Sequence, residues 1–225
     1  MLIVCEQLSK TYRADAAVVQ AVADVNLEVA GGDFVVILGH SGSGKTTLLS
    51  LIGGLTSPDH GIVRIHGRDN WGSGDTALSL LRNRTIGFIF QFASLIPTLT
   101  ALENVLLPLY FQKRTAKRKE RALDLLAAVG LTGKAGAYPA QLSGGQQRRV
   151  AIARAFINEP EIILADEPTG DLDEETEADI LTMFARFHQQ GTTFLVVTHN
   201  AHLAVTQRNS RILHMKNGRL AYGQA

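Results

Sequence analysis

The 225 residues carry 22 Lys and Arg against 21 Asp and Glu, a formal net charge of +1, so there is no basic footprint of the kind that grips nucleic acid. A composition of 45% hydrophobic and 19% charged residues is that of a globular domain with enough chain to bury a large core. No apolar run approaches the roughly 20 residues of a membrane span, Met1–Glu6 lacks the regions of a secretory leader, and the lone Cys5 excludes an internal disulfide. Cytosol is the expected compartment, with any membrane link made through a partner.

Leu2–Leu8 and Val22–Val29 read as strands, the second alternating Val25, Leu27 and Val29. They predict an antiparallel sheet beside the main core. Gly31-Gly32-Asp33 turns the chain into the apolar strand Phe34–Leu38. A helix begins beyond Thr47 and runs through Ile52, and Ile62–His66 alternates as a half-buried strand. Asp75 is a candidate cap for a helix through Leu81, and Ile86–Phe90 is a strand ending at Gln91. From Phe92 to about Asn158 the period becomes helical, with Leu123, Leu125, Leu126 and Val129 on one face. Strand patterning returns at Ile162–Leu164, Thr193–Val197 and Arg211–Met215, around a helix Glu174–His188. Asn217-Gly218 is a hairpin-turn dipeptide. The layout is an α/β core, 1–91 and 159–225, interrupted by a helical insert, 92–158, within one domain spanning 1–225.

Between the strand and the first helix lies G-H-S-G-S-G-K-T-T: Gly39, His40, Ser41, Gly42, Ser43, Gly44, Lys45, Thr46 and Thr47. Strand, glycine-rich turn and helix start occur in the order a phosphate-binding loop needs. The glycines let successive backbone N–H groups turn onto an anion, and the new helix adds its N-terminal partial charge. Lys45 is expected to reach the β- and γ-phosphates of a nucleoside triphosphate and the Thr46 hydroxyl to ligate Mg²⁺.

Ile162-Ile163-Leu164-Ala165-Asp166-Glu167 is a buried-type strand ending in two acids, which puts them where ligands of open α/β sheets bind. Asp166 is expected to hold Mg²⁺ and Glu167 to polarise an attacking water. Pro168 biases Glu167 toward extended backbone. Leu142-Ser143-Gly144-Gly145-Gln146 has a capping-box spacing before the helix Gln147–Ala155. It is a second helix start suited to an anion, one more than a single ATP site within one chain requires.

The phosphate loop, L-S-G-G-Q, the Asp-Glu strand, Gln91 and Thr198-His199 together resemble an ATP-binding cassette (ABC) ATPase over essentially the whole chain. The resemblance implies a P-loop NTPase (RecA-like) α/β core with an antiparallel β subdomain and an inserted α-helical subdomain. It also implies a head-to-tail homodimer with two ATPs at the interface, each loop facing Leu142, Ser143, Gly144, Gly145 and Gln146 of the other copy. Tyr12 would stack on adenine. Gln91 would sense Mg²⁺ and the attacking water and hinge the insert, completing a metal set of Thr46, Gln91 and Asp166. His199 would join Glu167 and Gln91 as a catalytic residue at the γ-phosphate, and Asp171 and Asp173 would form the loop that couples the two sites. His40 departs from the smaller residue that related loops often carry.

Within that family the chain is similar to the lipoprotein-releasing, macrolide-exporter and cell-division branch, through Ile52-Gly53-Gly54-Leu55, the F-Q-F…L-I-P…T-A-L-E-N-V stretch and P-T-G-D-L-D. The resemblance implies integral membrane permease subunits as partners, met through a groove near Phe92–Val105, and a peripheral position on the cytoplasmic face of the plasma membrane. A non-transporting signalling complex or a soluble cassette would use the same chemistry. The basic run Lys113–Arg121 reads as a solvated helix face, with anionic lipid contact as the sharper option.

Overall fold

The computed structural model describes residues 1–14, 17–72, 74–111, 118–170, 172–201, 203 and 210–222. In chain order the first elements are β1 (Ile3–Ala14), β2 (Ala17–Val29), β3 (Phe34–Leu38) and α1 (Lys45–Ile52). They are followed by β4 (His60–Ile65), β5 (Arg68–Asp69), α2 (Asp75–Thr85) and β6 (Ile86–Ile89). The inserted segment contributes α3 (Ala101–Leu106), a 3-10 turn at Leu107–Phe111, α4 (Arg118–Ala128) and α5 (Gly144–Phe156). The chain returns to the core through β7 (Ile162–Asp166), α6 (Glu174–Gln189), β8 (Thr193–Thr198), β9 (Arg211–Lys216) and β10 (Arg219–Tyr222).

The larger sheet has the order β10-β9-β3-β8-β7-β6. Four of its five pairings are parallel, and the β9–β10 hairpin closes one edge antiparallel. Successive side chains on a strand point to opposite faces, and here both faces are covered. Phe34, Val36, Ile163, Ala165, Phe194 and Val196 pack with helices of the insert and α6. Val35, Ile37, Ile162, Leu164, Leu195 and Val197 pack with α1 and the smaller sheet. That is why these strands read as continuous apolar runs.

The smaller sheet, order β2-β1-β4-β5, is antiparallel. Its β1–β2 ribbon runs well past the predicted end at Leu8, because main-chain pairing continues from Lys10↔Val22 to Ala14↔Ala17 after the apolar alternation stops. Register shifts between Cys5 and Thr11 mark the change of pattern. Asp59 ties the ribbon down, accepting from Lys10 Nζ at 2.8 Å and from the Thr11 N–H at 2.7 Å. Cys5 lies in this layer, 2% exposed, and burial pushes its thiol up to about 12.

Two local expectations change. Asp75 is not the cap of α2: Gly74, at φ 80°, takes the N-cap position, and Asp75 is the acid of the first turn. Of the basic run, Lys113, Arg114 and Lys117 lie outside the described residues. Arg121 is not part of a solvated face. Its guanidinium donates to the Phe156 and Ile157 carbonyls, both at 3.0 Å, and pairs with Glu159 at 2.9 Å. It closes the C-terminal end of α5.

Candidate functional site

Parallel pairing decides where the chemistry lies. In register, Leu38 is opposite Thr198, Val197 opposite Asp166, and Ala165 opposite Ile89. The phosphate loop, Thr198-His199, Asp166-Glu167 and the turn at Gln91 therefore leave the sheet at one carboxyl edge, where ligands of α/β sheets bind.

The loop has the geometry of an anion cradle. Gly42 and Gly44 have φ of 76° and 105°, values that side chains rarely adopt. A Cβ at Gly44 would strike the Ala21 carbonyl, and one at Gly39 would strike the Met215 carbonyl and Ser43 Oγ. The loop is thus pinned between β2 and the β9–β10 turn, where the Gly218 N–H donates to the Ser43 carbonyl at 3.0 Å. Lys45 is 7% exposed. Its ammonium donates back to the loop, to Gly39 O at 2.7 Å and His40 O at 3.1 Å. Ser43 Oγ is buried with no hydrogen-bond partner, an orphan that a phosphate oxygen or its metal shell would satisfy. His40 is exposed, and its backbone carbonyl is what the loop uses.

Asp166 and Glu167 end β7 in different environments. Burial raises the Asp166 carboxyl above its ordinary range, and the neighbouring Glu167 charge adds to this; a hydrogen bond from the Thr46 hydroxyl and the Lys45 charge oppose it. Thr46 on α1 and Asp166 on β7 are thus neighbours at the sheet edge. A hydroxyl and one carboxylate suit Mg²⁺, which keeps several waters and takes the rest of its shell from phosphate. Among the described residues no group of three or more His, Cys, Asp or Glu could hold a metal.

Glu167 has φ 47°, not the extended backbone expected before Pro168. Surrounding bonds over-determine it: its N–H donates to Val197 O at 2.9 Å and its carbonyl accepts from the Gly170 N–H at 3.2 Å. Its carboxylate accepts from Thr198 Oγ1 at 2.7 Å and from the His199 N–H at 3.0 Å, with His199 Nδ1 2.9 Å away. Left-handed backbone at a non-glycine residue costs about 1–3 kcal/mol and gathers at functional sites. Asp173, expected in a coupling loop, caps α6, accepting from Thr176 N–H at 2.9 Å and Thr176 Oγ1 at 2.8 Å. Asp171 lies outside the described residues.

The Ser143–Gln146 capping box forms as spaced, Gln146 N–H to Ser143 Oγ at 3.2 Å and Ser143 N–H to Gln146 Oε1 at 3.0 Å. It starts α5 at Gly144, three residues before the predicted Gln147. Leu142 is buried beneath it, while Ser143 and Gly144 are exposed, with open space at the Gly144 Cα. Tyr12 stands on the ribbon, paired with Val19, half-exposed, with Lys10 Nζ 5.8 Å from its ring centre. Two residues along β2 is Ala21, which touches the phosphate loop.

Of Phe92–Val105, Ala101 and Val105 belong to the core, and Leu95 and Leu102 pack on it. Asn104, fully buried, holds the loop before α3 by bonds to Ile96, Leu99 and Thr100. Phe92 is 75% exposed. A cleft of about 730 Å³ opens instead between α2, β6 and the insert, lined by Leu55, Leu80, Phe88, Phe90, Leu107 and Phe111 among others, with Ser94 from the predicted stretch.

Sequence reasoning missed Arg148. It is 8% exposed on α5 and donates to Gln91 O at 2.5 Å and, at 3.5 Å, to Glu167 O. Its signal was register: Arg148 shares a helical face with Ala151, Ile152 and Ala155, all of them buried.

Comparison with known proteins gives the family. The family profile described as "ABC transporter" matches residues 22–170. An uncharacterized ABC transporter ATP-binding protein of Thermotoga maritima is 48% identical over 212 residues, 94% of this chain and 90% of that one. The lipoprotein-releasing system ATP-binding protein LolD of Bordetella avium is 43% identical over 220 residues, 97% of this chain and 95% of that one. The ATP-binding cassette MJ0796, solved as a dimer in a post-hydrolysis state bound to ADP and Pi, superposes with a TM-score of 0.91 at 41% identity, covering 99% of both chains. No helix among the described residues is long and apolar enough to cross a membrane. The chain belongs to the ABC transporter family, as an ATP-binding subunit.

Proposed function

We propose that this subunit hydrolyses ATP as one half of a head-to-tail homodimer and uses the cycle to drive integral membrane permease subunits from their cytoplasmic side. The observation that carries it is the convergence at one sheet edge of a pinned phosphate loop, the neighbouring Thr46 and Asp166 and a fully engaged Glu167. The two-copy arrangement is supported by the exposed start of α5, a second anion-seeking helix end on the inserted segment, and by the dimeric form in which MJ0796 was solved.

In this reading ATP phosphates lie in the loop of one copy, with Lys45 as counter-charge, and Ser143 with the Gly144 and Gly145 amides of the other copy closes on the γ-phosphate. Leu142 and Gln146 hold that helix start, and Tyr12 offers its ring face to the adenine. Thr46 and Asp166, with Gln91, are the residues that would hold Mg²⁺, which when bound neutralises charge developing on the phosphates. Glu167 takes the proton from the attacking water, a contribution of about 10²–10⁴ in rate. Thr198 and His199 fix the direction of its carboxylate, and Asp173, the N-cap of α6, belongs to the loop that couples the two sites. Residues 92–158 act as a helical subdomain hinged at Gln91 on the core, 1–91 and 159–225.

The apolar cleft at Phe88, Phe90 and Phe111, with the nearby exposed Phe92, is the surface we assign to the permease. The 43% identity to a lipoprotein-releasing ATP-binding protein supports assignment to the branch that extracts or exports lipophilic cargo or transmits force.

Glu167→Gln tests the reading. With ATP and Mg²⁺ it should elute as a dimer by gel filtration while phosphate release falls about 10²-fold or more. A variant that binds ATP yet stays monomeric would overturn the dimer, and one with normal turnover would overturn the role of Glu167.

A further inference from the structure

We propose that Arg148 is a positioning residue for ATP hydrolysis, holding the turns at Gln91 and Glu167 in one frame with α5. The inference rests on the ATPase reading above and adds to it a residue that touches no reacting atom.

Two of its hydrogen bonds go to backbone carbonyls of catalytic turns. One guanidinium nitrogen donates to Gln91 O at 2.5 Å and the other approaches Glu167 O at 3.5 Å. The same group lies against Gly170, where a Cβ would come within 3.2 Å of it. A planar guanidinium offers five donors in a fixed fork, so it can hold two carbonyls at a set spacing. Gln91 follows β6 and Glu167 follows β7, neighbouring strands whose ends otherwise separate into the insert and into α6. Arg148 bridges them from a third element, the helix whose first turn is Ser143–Gln146.

The same helix holds the segment after Gln91 a second time. Arg154 donates to Ala93 O and Ser94 O, both at 2.9 Å. The two arginines stand six positions apart on the helix, about 9 Å of axial rise. Arg154 and Ser94 both line the apolar cleft, whereas Arg148 stands at the hydrolytic end. The segment 91–94 is thus bound at three carbonyls to one rigid helix. Displacing it from the cleft side displaces α5, and through Arg148 the backbone of Glu167. That backbone is left-handed, φ 47°, so the direction of its carboxylate depends on the surrounding bonds.

Arg148→Met keeps length and apolar packing while removing every donor. Steady-state phosphate release by the purified full chain should show kcat lowered about tenfold or more with KM for ATP within about twofold of wild type. Arg148→Lys, which can still reach one carbonyl, should recover part of kcat. A folded Arg148→Met with wild-type kcat overturns the proposal, as does a loss that follows only the melting temperature and that Lys does not repair. If Arg148→Met does not fold, Arg148→Lys and Arg148→Gln decide: kcat in the order Arg, Lys, Gln at constant KM supports the role, and equal values overturn it. An inactive wild-type chain would overturn the ATPase reading and this inference with it. An active wild type beside an unaffected Arg148→Met overturns this inference alone.

Discussion

His199 meets Glu167 twice through a single oxygen: its backbone N–H donates to Oε1 at 3.0 Å, and its ring Nδ1 lies 2.9 Å from the same atom. The backbone bond is fixed by the path of the chain after β8, whereas the ring bond depends on the side chain. Thr198 occupies the other oxygen at 2.7 Å. With one oxygen engaged by a hydroxyl and the other by an N–H and a ring, the carboxylate has little freedom to turn.

His199→Ala removes only the ring. The expected outcome is a loss of about 10²-fold in kcat with ATP binding retained, since the carboxylate remains but is less well aimed. Parallel measurement of phosphate release and nucleotide affinity checks this. Wild-type kcat in that variant would separate His199 from the chemistry.

Gly44→Ala tests the loop as a physical object. The residue has φ 105°, and an added Cβ would strike the Ala21 carbonyl. Backbone strain and the clash together should cost more than about 1 kcal/mol and weaken ATP binding. Denaturant unfolding and nucleotide titration read the two effects separately. Unchanged stability would mean that β2 and the loop are not tightly packed here.

Asp166→Asn should melt higher than wild type at neutral pH while losing Mg²⁺-dependent hydrolysis. Burial holds the folded carboxyl above its ordinary value of 3.8, so over the window between 3.8 and the folded value the unfolded chain binds fewer protons. Stability therefore falls as pH rises through that window, and the cost persists above it. Well below pH 3.8 both states are protonated, and the two proteins should melt alike. A wild type that outlasts Asp166→Asn at pH 7 would reverse the sign of this account.

The elements legible from sequence were those whose chemistry is local. Gly39–Thr47 and the Ile162–Glu167 run declare themselves because loop, helix start and strand end are contiguous, and Ser143 with Gln146 closes its box within four residues. What escaped depends on distant partners. The β1–β2 ribbon continues past Leu8 on main-chain pairing that leaves no apolar alternation. Arg148 acquires its meaning from carbonyls 57 and 19 residues away. Pro168 argued for an extended Glu167, and the bonds to Val197, Thr198 and His199 overrode that local preference. The cleft needed α2, β6 and the insert together, so a single stretch, Phe92–Val105, could not predict it.

The buried Cys5 has a practical consequence. With its thiol pushed up to about 12 and its side chain sealed beneath the small sheet, almost no thiolate forms at pH 8. The native chain is then a blank for maleimide and disulfide chemistry. A cysteine introduced at Gln189, exposed at the end of α6 remote from the sheet edge that carries the phosphate loop, would carry a dye alone. The approach of two copies could then be followed with no native thiol to remove first.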